Sequence, residues 1–221
     1  MMPSKFTKLV QSVLVVALVL LYLYGDRIAV RAIFALHAGT ESGPLDDRYP
    51  EWTAIHFTSA FVFATLATLQ LQSAIRRNYP AIHRVTGRVA VTAGLIAAAS
   101  GATIPLLVPA RPLAWRIYVL GHLVVTAWFL LTGFQSARIH DIPSHERWMK
   151  RTVASAGSVM TQRIIFPVFP LLFRIHSDTE FWRIFLSASA SALFINLFLA
   201  ECWIRLDREP RPVAQLAVAR Q

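Results

Sequence analysis

Long apolar runs alternate with short polar segments along most of the chain, and their lengths predict membrane-spanning helices. An α-helix needs roughly 20 apolar residues to cross the hydrocarbon layer of a bilayer. Six such spans are predicted, at 9–24 (extending into 28–36), 53–75, 85–108, 113–137, 152–173 and 181–204. We therefore expect an all-α integral membrane bundle forming one domain over residues 1–204. A polar, acidic loop at 26–52 and a basic, disordered tail at 205–221 complete the prediction.

One polar segment occurs twice and suggests that the fold is a duplication. The segment Gln72–Arg88 is echoed 63 positions later by Gln135–Arg151. Several residues are identical at this offset: Gln72 and Gln135, Pro80 and Pro143, Arg84 and Arg147, and Arg88 and Arg151. A unit repeated at a fixed offset in a membrane chain predicts structural repeats related by a two-fold axis. Spans 2–5 are then a pseudo-symmetric four-helix core, with repeats at about 53–108 and 113–173, and spans 1 and 6 are peripheral.

Composition and charge agree with a membrane location. The chain is 55% hydrophobic and 15% charged, with a mean hydropathy of +0.49, whereas soluble domains carry about 25% charged residues. The net charge of +10 comes from basic residues between the apolar runs, so we predict lipid rather than nucleic acid as the partner. Fourteen Lys and Arg lie on the side of both termini and both repeated loops, and seven lie on the other side. The positive-inside rule predicts that both termini and both repeated loops lie on the cytoplasmic side of an inner membrane.

Four histidines are placed in pairs by the predicted repeat. His56 and His122 lie in the outer halves of spans 2 and 4, and His83 and His145 lie where spans 3 and 5 begin. A two-fold axis would face His56 toward His122 and His83 toward His145. Two histidines from facing helices are the axial ligands that a b-type haem requires. The same residues are compatible with structural or interfacial histidines, a proton relay or a metal site, although zinc or copper needs more ligands than one pair supplies.

The spacing of the first pair is imperfect. His56 precedes Gln72 by 16 residues, whereas His122 precedes Gln135 by 13, which is a height difference of about 4.5 Å along a helix. The other histidines, His37, His140 and His176, are predicted to lie in solvated loops.

Arg163 is predicted near the middle of span 5, where an uncompensated charge costs about 2.5 kcal/mol or more. It should face the bundle interior. The acidic residue Glu201 is predicted near the cytoplasmic end of span 6, about 10 Å from Arg163 in depth. The alternative partners for the guanidinium are a haem propionate, a quinone oxygen, a lipid headgroup, or backbone carbonyls at a kink caused by Pro167. Arg84 and Arg147, with the other basic residues of the repeated loops, either contact anionic lipid or hold a propionate.

Two resemblances follow from these residues. The chain resembles a large family of bacterial polytopic proteins known only as predicted membrane proteins, through His56, Gln70 or Gln72, Pro80-x-x-His83-Arg84-x-x-Gly87-Arg88, His145-x-Arg147-Trp148-Met149-x-Arg151, and Arg163 with Pro167. This resemblance implies a membrane fold and no established reaction. The topology of spans 2–5 is also similar to that of di-haem b-type cytochromes, in which the second and fourth helices share one haem and the third and fifth share the other.

The cytochrome resemblance implies haem b as cofactor, a quinone or small redox partner, and electron transfer across the membrane. The alternative is a cofactor-free small transporter or assembly protein with a polar cavity between the repeats. The sequence contains no Walker loop, dinucleotide fingerprint, GxSxG, HExxH or CxxC pattern, and its single cysteine, Cys202, excludes an internal disulfide. No catalytic residue and no oligomeric state are predicted.

Overall fold

The structure is a computed structural model that describes residues 50–107, 111–166 and 177–207. Predicted span 1, nearly all of the acidic loop and the far end of span 5 with Pro167 lie outside the described residues. So do His37, His176 and the tail after residue 207.

The described chain consists of six helices: α1 (Pro50–Gln70), α2 (Ser73–Asn78), α3 (Pro80–Leu107), α4 (Leu113–Arg138), α5 (Ile142–Ile165) and α6 (Asp178–Leu206). The all-α prediction is confirmed for these residues. Helices α3, α4 and α6 are long and apolar enough to cross a membrane, and α1 contributes a shorter apolar stretch, Ile55–Gln70. These helices correspond to predicted spans 3, 4, 6 and 2.

The repeated segments are mostly helical, which corrects their prediction as loops. Helix α3 begins at Pro80 rather than Val85, and α5 begins at Ile142 rather than Thr152. Proline fits the first helical turn, where a backbone N–H has no helical partner, and the basic residues that follow are good helix formers. Hydropathy cannot detect a polar first turn, so it placed both helix starts too late. Predicted span 2, at 53–75, is also corrected, because α1 ends at Gln70 and the short helix α2 follows it separately.

The helices pack as two successive hairpins. Helix α1 lies along α3, α3 along α4, α4 along α5, and α5 along α6, while α1 touches α5 only over a short stretch. Among the described helices, α1 and α4 are not a closely packed pair, and neither are α3 and α5. The diagonal relation of those pairs is typical of a four-helix bundle. The two helices of each diagonal therefore meet only through the bundle interior.

A stripe of glycines on α3 brings the first three long helices together. Its members lie seven residues apart, and so do the α1 side chains they face, which pair as Gly87 with Gln70, Gly94 with Phe63, and Gly101 with His56. A Cβ atom on Gly94 would lie 2.8 Å from Phe63 and 2.8 Å from Leu130 of α4. Since real Cβ atoms do not approach other atoms so closely, glycine is required for this packing. Small residues at fixed spacing are the usual means of close helix approach in membranes.

The apolar core lies at the middle of this stripe. It is formed by the buried residues Phe63, Ala67, Val91, Ala93 and Leu130, with Met149, Val153 and Ala156 of α5 packed against it. Many large apolar side chains point outward instead, including Val124, Phe194 and Phe198. An exposed apolar surface of this kind suits contact with lipid.

Helix α5 is the polar helix of the bundle. It buries Thr152, Ser155, Ser158 and Gln162. Thr152 Oγ1 donates to Trp148 O at 2.9 Å and Ser158 Oγ to Ser155 O at 2.6 Å. Asn196 of α6 donates to Ala154 O at 3.1 Å and accepts from Thr161 Oγ1 at 2.9 Å. Because α4, α6 and α1 all contact α5, these polar groups face other helices, which explains how a helix of low hydropathy is accommodated here.

Candidate functional site

Two of the predicted histidines lie at the end of the bundle that carries the turns at 71–79 and 139–141, which we call the turn end. His83 is three residues after Pro80, and His145 is two residues after Pro143. Both prolines lie in the first turn of their helices, so the two histidines are level to within one residue. The charges of the two imidazoles interact, but no hydrogen bond or ring contact joins His83 to His145 among the described residues.

The ring nitrogens of this pair differ in their bonding. His145 Nδ1 donates to the carbonyl oxygen of Gly133 at 2.8 Å, which fixes the tautomer and leaves Nε2 as the second nitrogen. His83 Nδ1 is buried and has no hydrogen-bond partner among the described residues. A buried polar atom without a partner is costly, so it marks a place where a ligand or water would be favourable.

Basic groups surround the pair. Arg76 and Arg84 interact electrostatically with His83, as does Glu146. Arg76 Nη1 lies 3.3 Å from Glu146 Oε1 and connects α2 to the N-terminal part of α5. Arg147 Nη2 donates to Ser144 Oγ at 2.7 Å. The turn end therefore carries an excess of positive charge beside the two imidazoles.

His56 and His122 lie toward the other end of the bundle, and each is bonded within its own hairpin. His56 Nδ1 donates to Ala97 O at 2.8 Å, and its ring rests on Gly101. His122 Nε2 donates to Ser155 O at 3.0 Å. Each imidazole thus links the first helix of a hairpin to the second. No hydrogen bond or ring contact joins His56 to His122 within the described structure.

The two rings also lie at different heights. Ala97 follows Pro80 by 17 residues and Ser155 follows Pro143 by 12, a difference of five residues or about 7.5 Å along a helix. The sequence spacing indicated a smaller offset in the same direction. Each ring keeps one nitrogen that is not bonded to its carbonyl, but joint ligation of one iron by this pair would have to overcome the difference in height.

Arg163 lies in the last turn of α5 and not at mid-span as predicted, because α5 starts and ends earlier than hydropathy indicates. Its side chain is exposed, and its charge interacts with that of His56. Glu201 is bonded instead to Arg151, with N–O distances of 2.6 and 3.1 Å. The carbonyl end of a helix favours a cation, which lowers the cost of this arginine.

Three residues of these sites were missed from the sequence. Gly101 seats the His56 ring, Ser155 supplies the carbonyl bound by His122, and Thr126 Oγ1 lies 2.6 Å from Ser155 Oγ. The spacing of seven between the α3 glycines was a detectable signal. Ser155 and Thr126 have no comparable signal, because hydroxyl residues are common in membrane helices.

The described residues do not offer the ligand set of a mononuclear metal ion. The described chain holds no group of three or more His, Cys, Asp or Glu arranged to hold a metal. A b-type haem needs only two protein ligands, since its porphyrin supplies the other four. A haem between His83 and His145 would be held by the ring of His83, whose Nδ1 has no described partner, and by the ring of His145, which Gly133 orients through Nδ1.

The fold and these polar groups define a helical membrane protein with its polar side chains gathered inside the bundle and at its ends. The model of the family described as "Predicted membrane protein (DUF2306)" matches residues 53–204. The chain belongs to this family, and the predicted resemblance to polytopic membrane proteins is confirmed. No curated protein and no solved structure gives a match.

Proposed function

We propose that this protein is a b-type cytochrome of the membrane, with His83 and His145 as the axial ligands of a haem at the turn end. The observation that carries the proposal is the levelled pair itself, with a buried His83 Nδ1 that has no described partner. The haem, when bound, supplies a reversible one-electron couple. A second haem between His56 and His122 remains a prediction from the sequence.

The chain's own residues have separate roles in this proposal. The Gly133 carbonyl orients His145 through Nδ1, as outer-shell hydrogen bonds orient most metal-binding histidines. Arg76, Arg84 and Arg147 supply positive charge for carboxylates of a propionate type. The charge count along the sequence supports a turn end on the cytoplasmic side of a bacterial inner membrane, where a quinone or small redox partner would exchange electrons.

A cofactor-free scaffold or small transporter is the second candidate. It is favoured by the opposite-end histidines, because hydrogen bonds to Ala97 and Ser155 already satisfy one nitrogen of each ring. In that case the histidines tie each hairpin together and do no redox chemistry.

Visible spectra of the detergent-purified full chain, produced in haem-replete cells, test the proposal. We expect a Soret band that shifts on reduction with dithionite, and a haem content measurable by the pyridine assay. His83→Ala and His145→Ala should each abolish the turn-end haem. His140→Ala is the matched control, since His140 is exposed in the turn before α5 and should leave the spectrum unchanged.

A colourless preparation without haem would overturn the proposal and favour the scaffold. Loss of haem in His56→Ala with full retention in both turn-end variants would move the ligands to the opposite end.

A further inference from the structure

At the end opposite the turns, α1 and α5 each carry a polar side chain on the helix face that packs against the apolar core. On α1, His56 lies seven residues before the core residue Phe63. On α5, Arg163 lies seven residues after Ala156, which packs on the same core. A spacing of seven keeps side chains on one helix face. His56 and Arg163 therefore face the same part of the bundle, in agreement with the interaction of their charges.

The His56 ring is held in one orientation. A carbonyl oxygen can only accept, so the bond to Ala97 requires the proton on Nδ1. A Cβ at Gly101 would lie 2.8 Å from Cε1 of the ring, and the ring occupies the space that glycine leaves. Nε2 remains as the second polar atom of the imidazole.

Arg163 is a cation without an acidic partner in the described part of the chain. Three ion pairs of the described residues are Arg76–Glu146, Lys150–Asp207 and Arg151–Glu201. All three lie nearer the turn end, because Glu146, Lys150 and Arg151 belong to the first half of α5. The helix carbonyls offset only a fraction of a unit charge, so an anion beside Arg163 would be favourable.

Among the described helices, the site is open at the side of the bundle. Helix α1 touches α5 only over a short stretch, and Arg163 is exposed. A ligand that approaches between these two helices meets the guanidinium and the imidazole together.

We propose that Arg163 and His56 form a binding site for a phosphate group that carries or adjoins a hydroxyl, at the end opposite the turns. The guanidinium fork binds two phosphate oxygens, and His56 Nε2 accepts a hydrogen bond from the hydroxyl. A phospholipid with a hydroxyl-bearing headgroup and free phosphate share this chemistry. The site does not depend on haem, because the proposed haem ligands lie at the turn end.

Thermal unfolding of the full chain in nanodiscs tests the site. Phosphatidylcholine discs are compared with discs that contain phosphatidylglycerol, and inorganic phosphate is added to the first set. We expect phosphatidylglycerol or phosphate to raise the Tm of the wild type by a few degrees. Arg163→Gln should abolish that rise, and Arg163→Lys, which keeps the charge but not the fork, should reduce it.

Arg138→Gln is the matched control, because Arg138 also lies in the last turn of a helix, α4, but at the turn end. The increase in Tm of Arg138→Gln on addition of either ligand should equal that of the wild type. A rise with phosphatidylglycerol alone identifies the lipid, and a rise with phosphate identifies the free ion. No rise with either ligand, an undiminished rise in Arg163→Gln, or equal loss in Arg138→Gln would each overturn the proposal.

Discussion

Single hydrogen bonds decide what the histidines of this bundle can do. A half-buried imidazole with one nitrogen bonded to a carbonyl, as in His56 and His122, stabilises the contact between two helices without any cofactor. A buried nitrogen without a described partner, as in His83, leaves a favourable interaction to be made. The four histidines predicted as equivalent pairs therefore differ in their hydrogen bonding, because His56, His122 and His145 each bond a carbonyl and His83 Nδ1 has no described partner.

Asp141 gives the first turn of α5 a pH-dependent cap. Its carboxylate accepts from the Ser144 N–H at 3.0 Å, and the bonds from Ser144, aided by Arg147, hold its pKa below the ordinary value. A depressed folded-state pKa stabilises the fold above the unfolded pKa of about 3.9, and this stabilisation is lost as the pH falls through the folded value.

We therefore expect the wild type to lose Tm relative to Asp141→Asn as the pH falls below about 4. Asparagine caps a helix about as well as aspartate but does not titrate. Circular dichroism melts in detergent between neutral pH and pH 3 measure the difference. A difference that stays constant over this range would show that the carboxylate contributes no pH-dependent cap.

Helix contacts depend on the glycine stripe of α3 more than on hydropathy. The stripe lets α1 and α4 approach α3 so closely that side chains of α1 rest on its backbone. The apolar runs predict only that a helix is long enough to cross the membrane. The facing side chains on α1 then determine which residues reach the interior, and His56 is one of them.

Gly94→Ala should destabilise the packing of α1, α3 and α4. The new methyl group would lie 2.8 Å from both Phe63 and Leu130, and overpacking of a filled core costs about 1–3 kcal/mol. The free energy of unfolding, measured by SDS titration in mixed micelles, should fall by that amount. Gly121→Ala is the control, because a Cβ there meets no atom within 4 Å and alanine favours the helix.

Equal stability of the two alanine variants would contradict this account of the stripe. Partial recovery of Gly94→Ala by a second change, Phe63→Leu, would support it, because a smaller side chain yields space to the methyl group.

The two hairpins of the described bundle resemble each other only approximately. In both halves the second helix begins with a proline-containing turn, and a histidine of the first helix binds the second. However, α5 is more polar than α3 and has the additional neighbour α6. The two halves have therefore diverged, and the functional sites need not be symmetric.

The orientation of the bundle is testable with cysteines. In a Cys202→Ser background, His140→Cys should react with a membrane-impermeant maleimide only when the cytoplasmic face is accessible. Arg111→Cys, in the turn before α4, should react only from the other face. Labelling of both positions from one face would contradict the topology predicted from the distribution of basic residues.

Much of the helical architecture was predictable from residues taken one segment at a time. Spans 3, 4 and 6 were placed to within about one helical turn or slightly more, because apolar runs of that length have few alternatives in a bilayer. Span 5 was shifted by ten residues at its start, since a polar helix covered by its neighbours carries no hydropathy signal. The break between α1 and α2 after Gln70 was also missed.

Local sequence established that this chain is helical and suited to lipid, because helix length and hydropathy belong to each segment alone, and it predicted a duplication from the repeat offset. Only the tertiary structure decided which nitrogen of each histidine is bonded, that Arg163 ends a helix, and that glycines of α3 hold the α1 side chains. These features depend on how each helix is rotated and where it starts, and packing against other helices sets both.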